Sequence, residues 1–216
     1  VSTGRFRLAL VEGSLWNGQG RLASVDSSES LTPLSRLRWA FDPLSLAGAS
    51  LRWQLQIDGA APATLEISLG GLALHDLAAQ LPPTAALAAF PHAIARVGWR
   101  GVLDLRIPAL SCTWSGLCEG RIQAEWRAGG VDILPGQALG DHRIEATIGT
   151  SGTMLEITAL RGLALVVNGT IGLHAGRRLQ ADLDIGGDTQ LLDRLRGMLD
   201  EFGGSIQDGL RLRIRS

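Results

Sequence analysis

The decapeptide Gly13–Leu22, GSLWNGQGRL, decides the fold. Its second half runs into GQGRLA, Gly18–Ala23, which formally satisfies the G-x-G-x-x-A fingerprint of a dinucleotide-binding loop. That reading needs a strand before the glycines and a helix after them, whose first N–H groups hold the pyrophosphate. Beyond Ala23 the chain instead continues SVDSSESLTPLSRLRW, with serine clusters, a proline and no apolar stripe of helical period. In that context the glycines read as a hairpin or bulge beside a packed tryptophan.

The rest of the chain agrees with strands. Phe6, Leu8 and Leu10 alternate with other residues, as do Leu51, Trp53, Leu55 and Ile57. The same pattern recurs at Leu103, Leu105 and Ile107, at Ile122, Ala124 and Trp126, at Leu179, Ala181, Leu183 and Ile185, and at Leu210, Leu212 and Ile214. Period-two alternation with Arg, Gln, Asp and Glu on the other face is the signature of antiparallel strands wetted on one side. The 28 glycines suit turns and bulges better than helices.

Three segments carry helical spacing. Leu74–Pro82, LHDLAAQLP, is Ala-rich with a proline stop, and TAALAAFPHAI, from Thr84, adds a short helix broken near Pro91. The third comes after Asp188, a good N-cap, with Leu191, Leu192, Leu195, Leu199 and Phe202 on one face and Gly203–Gly204 at its end. Its polar face is not basic, so packing on the sheet is the expected role rather than membrane-surface binding.

Composition narrows the function classes. Of the 216 residues, 45% are hydrophobic and 19% charged, which excludes a disordered chain. A net charge of −1 gives no electrostatic case for nucleic acid. All 20 basic residues are Arg and there is no Tyr, a coding bias rather than a functional signal. No run of about 18 apolar residues or signal-peptide core occurs. The chain opens on Val, so a processed or excised fragment is expected.

No residue set calls for catalysis, a cofactor or a metal. GTSGT around Ser151 departs from G-x-S-x-G and reads as a hairpin turn. His75, His92, His142 and His174 form no short metal pair, and surface or loop positions are expected for them. Cys112 and Cys118 have no His nearby. They suit a disulfide across a hairpin turned at Ser115–Gly116, pointing to an oxidising compartment such as the periplasm, with two buried free thiols as the alternative.

A weak internal repeat runs through the chain. WNGQGRL, Trp16–Leu22, is echoed by WSGLCEGRI, Trp114–Ile122, and each half carries an L-x-G-L element, Leu69–Leu72 and Leu160–Leu163. One domain over 1–216, with halves at about 1–108 and 109–216, is the economical reading. The six tryptophans, Trp16, Trp39, Trp53, Trp99, Trp114 and Trp126, lie near strand starts or glycines and are expected to pack over turns. An exposed apolar groove for lipid or for a partner strand is the alternative.

These pieces resemble the periplasmic region of the type II secretion system protein N family. That family carries G-[ST]-L-W-x-G near the start, here Gly13, Leu15, Trp16 and Gly18, then a Trp-containing strand, here at Trp39. Next come an L-x-G strand, Leu46–Leu55 with Trp53, and a d-L-x-x-x-L-P helix, Asp76–Pro82. A W-x-G-x-L-x-L strand, Trp99–Leu105, and a Cys pair followed by Gly120 and Trp126 complete the order. The resemblance implies an inner-membrane helix preceding a periplasmic domain of a Gram-negative bacterium. It further implies an accessory role in protein export across the outer membrane, through contacts with inner-membrane platform proteins and the secretin. It implies no catalytic residue.

The expectation is therefore an all-β, strongly twisted, partly open antiparallel sheet with two or three short helices and a core at Trp39, Trp53, Leu105, Trp126, Leu183 and Ile185. Its function would be that of a non-enzymatic secretion component, with a lipid- or envelope-component-binding β-groove as the alternative.

Overall fold

The computed structural model describes residues 6–25, 31–84, 98–132, 136–162, 164–174, 178–189, 192, 205–207 and 211–215. Fourteen strands lie among them. They are β1 (Phe6–Gly13), β2 (Asn17–Val25), β3 (Leu31–Asp42), β4 (Leu51–Ile57), β5 (Ala63–Ser68), β6 (Gly71–Leu81) and β7 (Trp99–Thr113). The second half of the chain adds β8 (Cys118–Val131), β9 (Gly140–Gly149), β10 (Gly152–Gly162), β11 (Leu165–His174), β12 (Arg178–Gly187), β13 (Ser205–Gln207) and β14 (Arg211–Arg215). A short 3-10 helix, Pro43–Gly48, joins β3 to β4.

All pairs are antiparallel, and from β1 to β12 each strand lies beside its neighbour in sequence; β14 then pairs with β12, and β13 closes the order. Short turns make this arrangement cheap, because an antiparallel pair needs only a hairpin. The sheet is open, with β1 and β13 as its edges.

Register separates the two faces. Ala79, Leu105, Ala124, Ile144, Ile157, Gly169 and Leu183 stand opposite one another in turn from β6 to β12. One position away runs a polar row from β7 to β12: Arg106, Gln123, Glu145, Glu156, Thr170 and Asp182. A second apolar row, Phe41, Trp53, Leu65, Leu74, Leu110, Gly120 and Ile148, crosses β3 to β9. Because side chains alternate along a strand, these rows give one apolar and one polar face.

The core is densest where Leu103, Ala124, Trp126, Val131 and Leu139 cluster, with Trp99, Leu105 and Ile144 packed against them. Burying a side chain the size of Trp126 contributes roughly 3 kcal/mol. Of the expected core, Trp53, Trp126 and Leu183 are buried, whereas Trp39, Leu105 and Ile185 are half-buried.

The segment 74–82, read as a helix, is instead most of strand β6. Asp76 adopts a left-handed φ of +57°. On β7, opposite it, the register with β8 shifts between Arg106 and Ala109. Leu74 belongs to the row through Gly120, and Ala79 to the row through Ala124, so the inward side switches parity at Asp76. Leu72, Leu74, Leu77, Ala79 and Leu81 then fall at a spacing that imitates a helical stripe. The other two expected helices lie outside the described residues, apart from helical backbone at 83–84, 189 and 192.

The two corners of the internal repeat, at Trp16 and Trp114, both fall on hairpin turns. Its later pieces do not keep step. Trp39 lies in β3, beyond the strand leaving its corner, whereas Trp126 lies in β8, the strand that leaves its corner. Leu69 stands in the β5–β6 turn, while Leu160 stands inside β10.

Candidate functional site

In an antiparallel meander, alternate turns collect at the same end of the sheet. One end gathers Ser14–Trp16 between β1 and β2, Pro43–Ser50 between β3 and β4, and Leu69–Gly70 between β5 and β6. Trp114–Leu117 between β7 and β8 and Thr150–Ser151 between β9 and β10 join them. These five tips hold no Asp, Glu, Arg, Lys or His, whereas the sixth connection at this end, 175–177 between β11 and β12, lies outside the described residues and carries Arg177 in the sequence. The five tips do hold Leu15, Trp16, Leu44, Leu46, Leu69, Trp114 and Leu117, all exposed, with Leu69 at 92% and Leu44 at 82%. The opposite end carries charge, at Asp58 in the β4–β5 turn, Asp132 after β8 and Asp188 after β12.

The first tip is held by hydrogen bonds that explain its motif. Gly13 takes φ +98°, which suits glycine alone. The Ser14 hydroxyl accepts from the Trp16 and Asn17 N–H groups at 3.2 and 3.3 Å. The Trp39 indole N–H donates to the Ser14 carbonyl at 2.9 Å, and that of Trp53 to the Leu15 carbonyl at 3.1 Å. Trp16 meets Phe41 edge-on at 4.6 Å, and Phe41 meets Trp53 at 5.3 Å. Gly18 lies opposite Trp39, and a Cβ there would stand 2.4 Å from the Trp39 ring. The glycines of GSLWNGQGRL thus make a turn and a seat for an indole.

The fourth tip repeats the device. The Thr113 N–H donates to the Leu117 carbonyl at 2.8 Å, and the Trp114 indole N–H reaches the Ser68 carbonyl at 3.1 Å, tying this tip to the β5–β6 turn. Cys112 and Cys118 face each other directly beneath it, joined by a disulfide, with Gly120 two residues on. Trp99 and Trp126 lie towards the other end, 5.2 Å apart, with the Trp126 indole N–H on the Arg100 carbonyl at 2.9 Å.

Polar groups elsewhere are arranged for structure. Arg52 pairs with Asp42 and Glu66, Arg100 with Asp132, Arg127 with Asp104, and Arg143 with Glu125. The Arg52 hydrogen bond holds the Glu66 carboxyl below its ordinary range. Asp141 accepts the Ala128 N–H at 2.8 Å, where a bulge frees it from the ladder. Its neighbour His142 is not a surface residue: it is 3% exposed, opposite Trp126, and neither ring nitrogen has a hydrogen-bond partner. Burial pushes its pKa down, with Asp141 opposing. Among the described residues no three His, Cys, Asp or Glu side chains converge as metal ligands. A cleft of about 570 Å³ opens between Arg21, Arg36, Arg38, Gln56 and Asp58.

No motif in the sequence singles out Leu44, Leu69 or Leu117 as a group, because they come from three separate turns. The available signal is the lack of charge in those turns in a chain that is 19% charged.

The geometry defines a class of protein: an open, single-sheet β scaffold whose tryptophans fix its turns and whose exposed features are edges and tips. The family model for type II secretion system protein N matches residues 5–213, and the chain belongs to that family. No curated protein and no solved structure matches the chain. Membership makes it a type II secretion component, and so a protein of the cell envelope.

Proposed function

We propose that the chain is the periplasmic domain of an inner-membrane-anchored accessory component, acting in protein export across the outer membrane through contacts with other secretion components. The match to the protein N family over nearly the whole chain carries this reading. The Cys112–Cys118 disulfide suits an oxidising periplasm. Among the described residues no helix is long and apolar enough to cross a membrane, so the proposed anchor is not one of their elements.

Contact through a sheet edge is the simplest use of such a scaffold. β1 is an edge strand of eight residues with Leu8, Leu10 and Val11 exposed, whereas the other edge, β13, has three residues. Unpaired edge groups accept a strand from another chain. Inner-membrane platform proteins and the secretin are the proposed partners, and no catalytic role is proposed. Co-purification from membranes that carry the assembled apparatus tests the reading. Recovery of a platform protein or of the secretin supports it, and recovery of neither counts against it.

A second reading has its own observation. The apolar face is continuous, and Leu105, Ile144, Ile157 and Ile171 on it are only half-buried. A face of that kind suits an acyl chain, as in a lipid- or envelope-component-binding groove. Lipid found by mass spectrometry of the native protein, without secretion partners, selects this reading instead.

A further inference from the structure

We propose that the cleft between β2, β3 and the β4–β5 turn binds a phosphate monoester group, through the guanidinium groups of Arg21, Arg36 and Arg38. The proposal goes beyond the secretion role and does not rest on it.

Strand register brings the three together. Arg21 on β2 stands directly opposite Arg36 on β3, and Arg38 follows two residues on, between Gln19 and Gln56. Side chains alternate along a strand, so the three arginines share the polar face. All three are exposed and line the cleft of about 570 Å³, with Gln56 and Asp58. Like charges directly across an antiparallel pair destabilise it. Elsewhere on the sheet Arg52 stands opposite Asp42 and Glu66, and Arg143 opposite Glu125. Among the described residues no carboxylate forms an ion pair with Arg21, Arg36 or Arg38.

The neighbouring acids are few. Asp58, the cleft's own carboxylate, accepts the Arg36 main-chain N–H at 2.8 Å. Glu12 is held by the Gln19 amide at 2.7 Å. The β2–β3 connection, 26–30, lies outside the described residues and carries Asp26 and Glu29 in the sequence. At its mouth the ladder pairs Val25 with Leu31. Val25 stands four residues beyond Arg21 along β2 and six beyond Gln19, which faces Arg38. Those intervals are about 13 and 20 Å of strand.

Charge and size choose the ligand. The three arginines and Asp58 together leave two positive charges at the cleft. A phosphate monoester carries about 1.5–2 negative charges at neutral pH and matches them, whereas a single carboxylate leaves one unmatched. Guanidinium forks grip phosphate oxygens two at a time. The cleft has the volume of a small-ligand site. The phosphate can belong to a soluble ester or to a lipid headgroup, since the recognition chemistry is the same.

The test is titration of the 216-residue chain with inorganic phosphate, followed through the arginine Nε–H signals by NMR, with ionic strength held constant by chloride. Saturable shifts of three arginine signals are expected. Arg21→Gln with Arg38→Gln is expected to weaken binding about tenfold or more. Arg121→Gln, at an exposed arginine on β8, should leave it unchanged. Because the double replacement removes like-charge neighbours, its melting temperature should equal or exceed the parent's. Asp26→Asn with Glu29→Gln should change the affinity by no more than about twofold. Co-sedimentation with phosphatidylcholine vesicles containing phosphatidic acid, and not with phosphatidylcholine alone, assigns the phosphate to a headgroup; phosphate binding without co-sedimentation assigns it to a soluble ester. Absence of a saturable shift overturns the proposal, as does equal weakening by Arg121→Gln. Binding about tenfold tighter in the Asp26 and Glu29 variant makes those carboxylates the occupants of the cleft and also overturns it. So does preference for a tetraglutamate peptide over phosphate, which assigns the cleft to an acidic protein segment.

Discussion

The indole N–H of Trp53, on the fourth strand, donates at 3.1 Å to the main-chain carbonyl of Leu15, at the tip of the first hairpin. The bond spans 38 positions of sequence and fixes that tip against the body of the sheet. Trp53→Phe keeps the ring contact with Phe41 and removes the donor. Because Trp53 is buried, the smaller ring also leaves a void, and a loss of about 2 kcal/mol in a denaturant titration is expected. A change within a few tenths of a kcal/mol of zero would show that the bond does not hold the turn.

Gly18 and Gly48 make a matched pair. A Cβ at Gly18 would meet the Trp39 ring at 2.4 Å, while one at Gly48 would meet nothing within 4 Å. Gly18→Ala is expected to destabilise by about 1–3 kcal/mol, because the indole must move off its seat and the Cβ would also stand 2.7 Å from the Glu12 carbonyl. Gly48→Ala should be close to neutral. Thermal unfolding of the two variants side by side checks the contrast.

The Cys112–Cys118 disulfide closes a short loop beneath the Trp114 tip. In the chain-entropy treatment a loop of this size contributes roughly 2–3 kcal/mol. Cys112→Ser with Cys118→Ser should lower stability by that order and match the reduced parent. Two free thiols in the purified native protein would remove the premise.

His142 gives the fold an acid-sensitive point. Its pKa is lowered from 6.5 chiefly by burial against Trp126, with Asp141 opposing. The unfolded chain therefore binds this proton more readily than the folded one. Its contribution to stability is complete above about pH 6.5 and is lost as the pH falls through the depressed folded value. His142→Leu should flatten the fall in melting temperature below that point. An unchanged acid limb would place the sensitivity elsewhere.

Much of this architecture was legible in the sequence. Period-two alternation located strands such as Leu51–Ile57 and Leu103–Ile107, and the residues after Gly20 ruled out a nucleotide loop. The pairing of Cys112 with Cys118 agreed with the turn residues between them. The misreading at Leu74–Pro82 has a physical cause: the left-handed Asp76 shifts the alternation by one, and apolar residues on either side of a bulge fall at helical spacing. His142 looked ordinary because burial of a strand residue depends on the strands beside it, here Trp126 and Ala159. The row of tips was hidden for a similar reason. Leu15, Leu44, Leu69 and Leu117 are distant in sequence, and only the alternation of turns in a meander brings them to one end.

The central claim is that this β scaffold serves secretion by touching other components of the apparatus. Photo-crosslinking in secreting cells tests it most directly, with the reactive group placed at Val11 on the exposed edge strand and, as a control, at Glu145 in the middle of the polar face. The expected result is a discrete adduct from Val11 that contains a platform protein or the secretin, and none from Glu145. Adducts from both positions alike, or no secretion component at either, would contradict it.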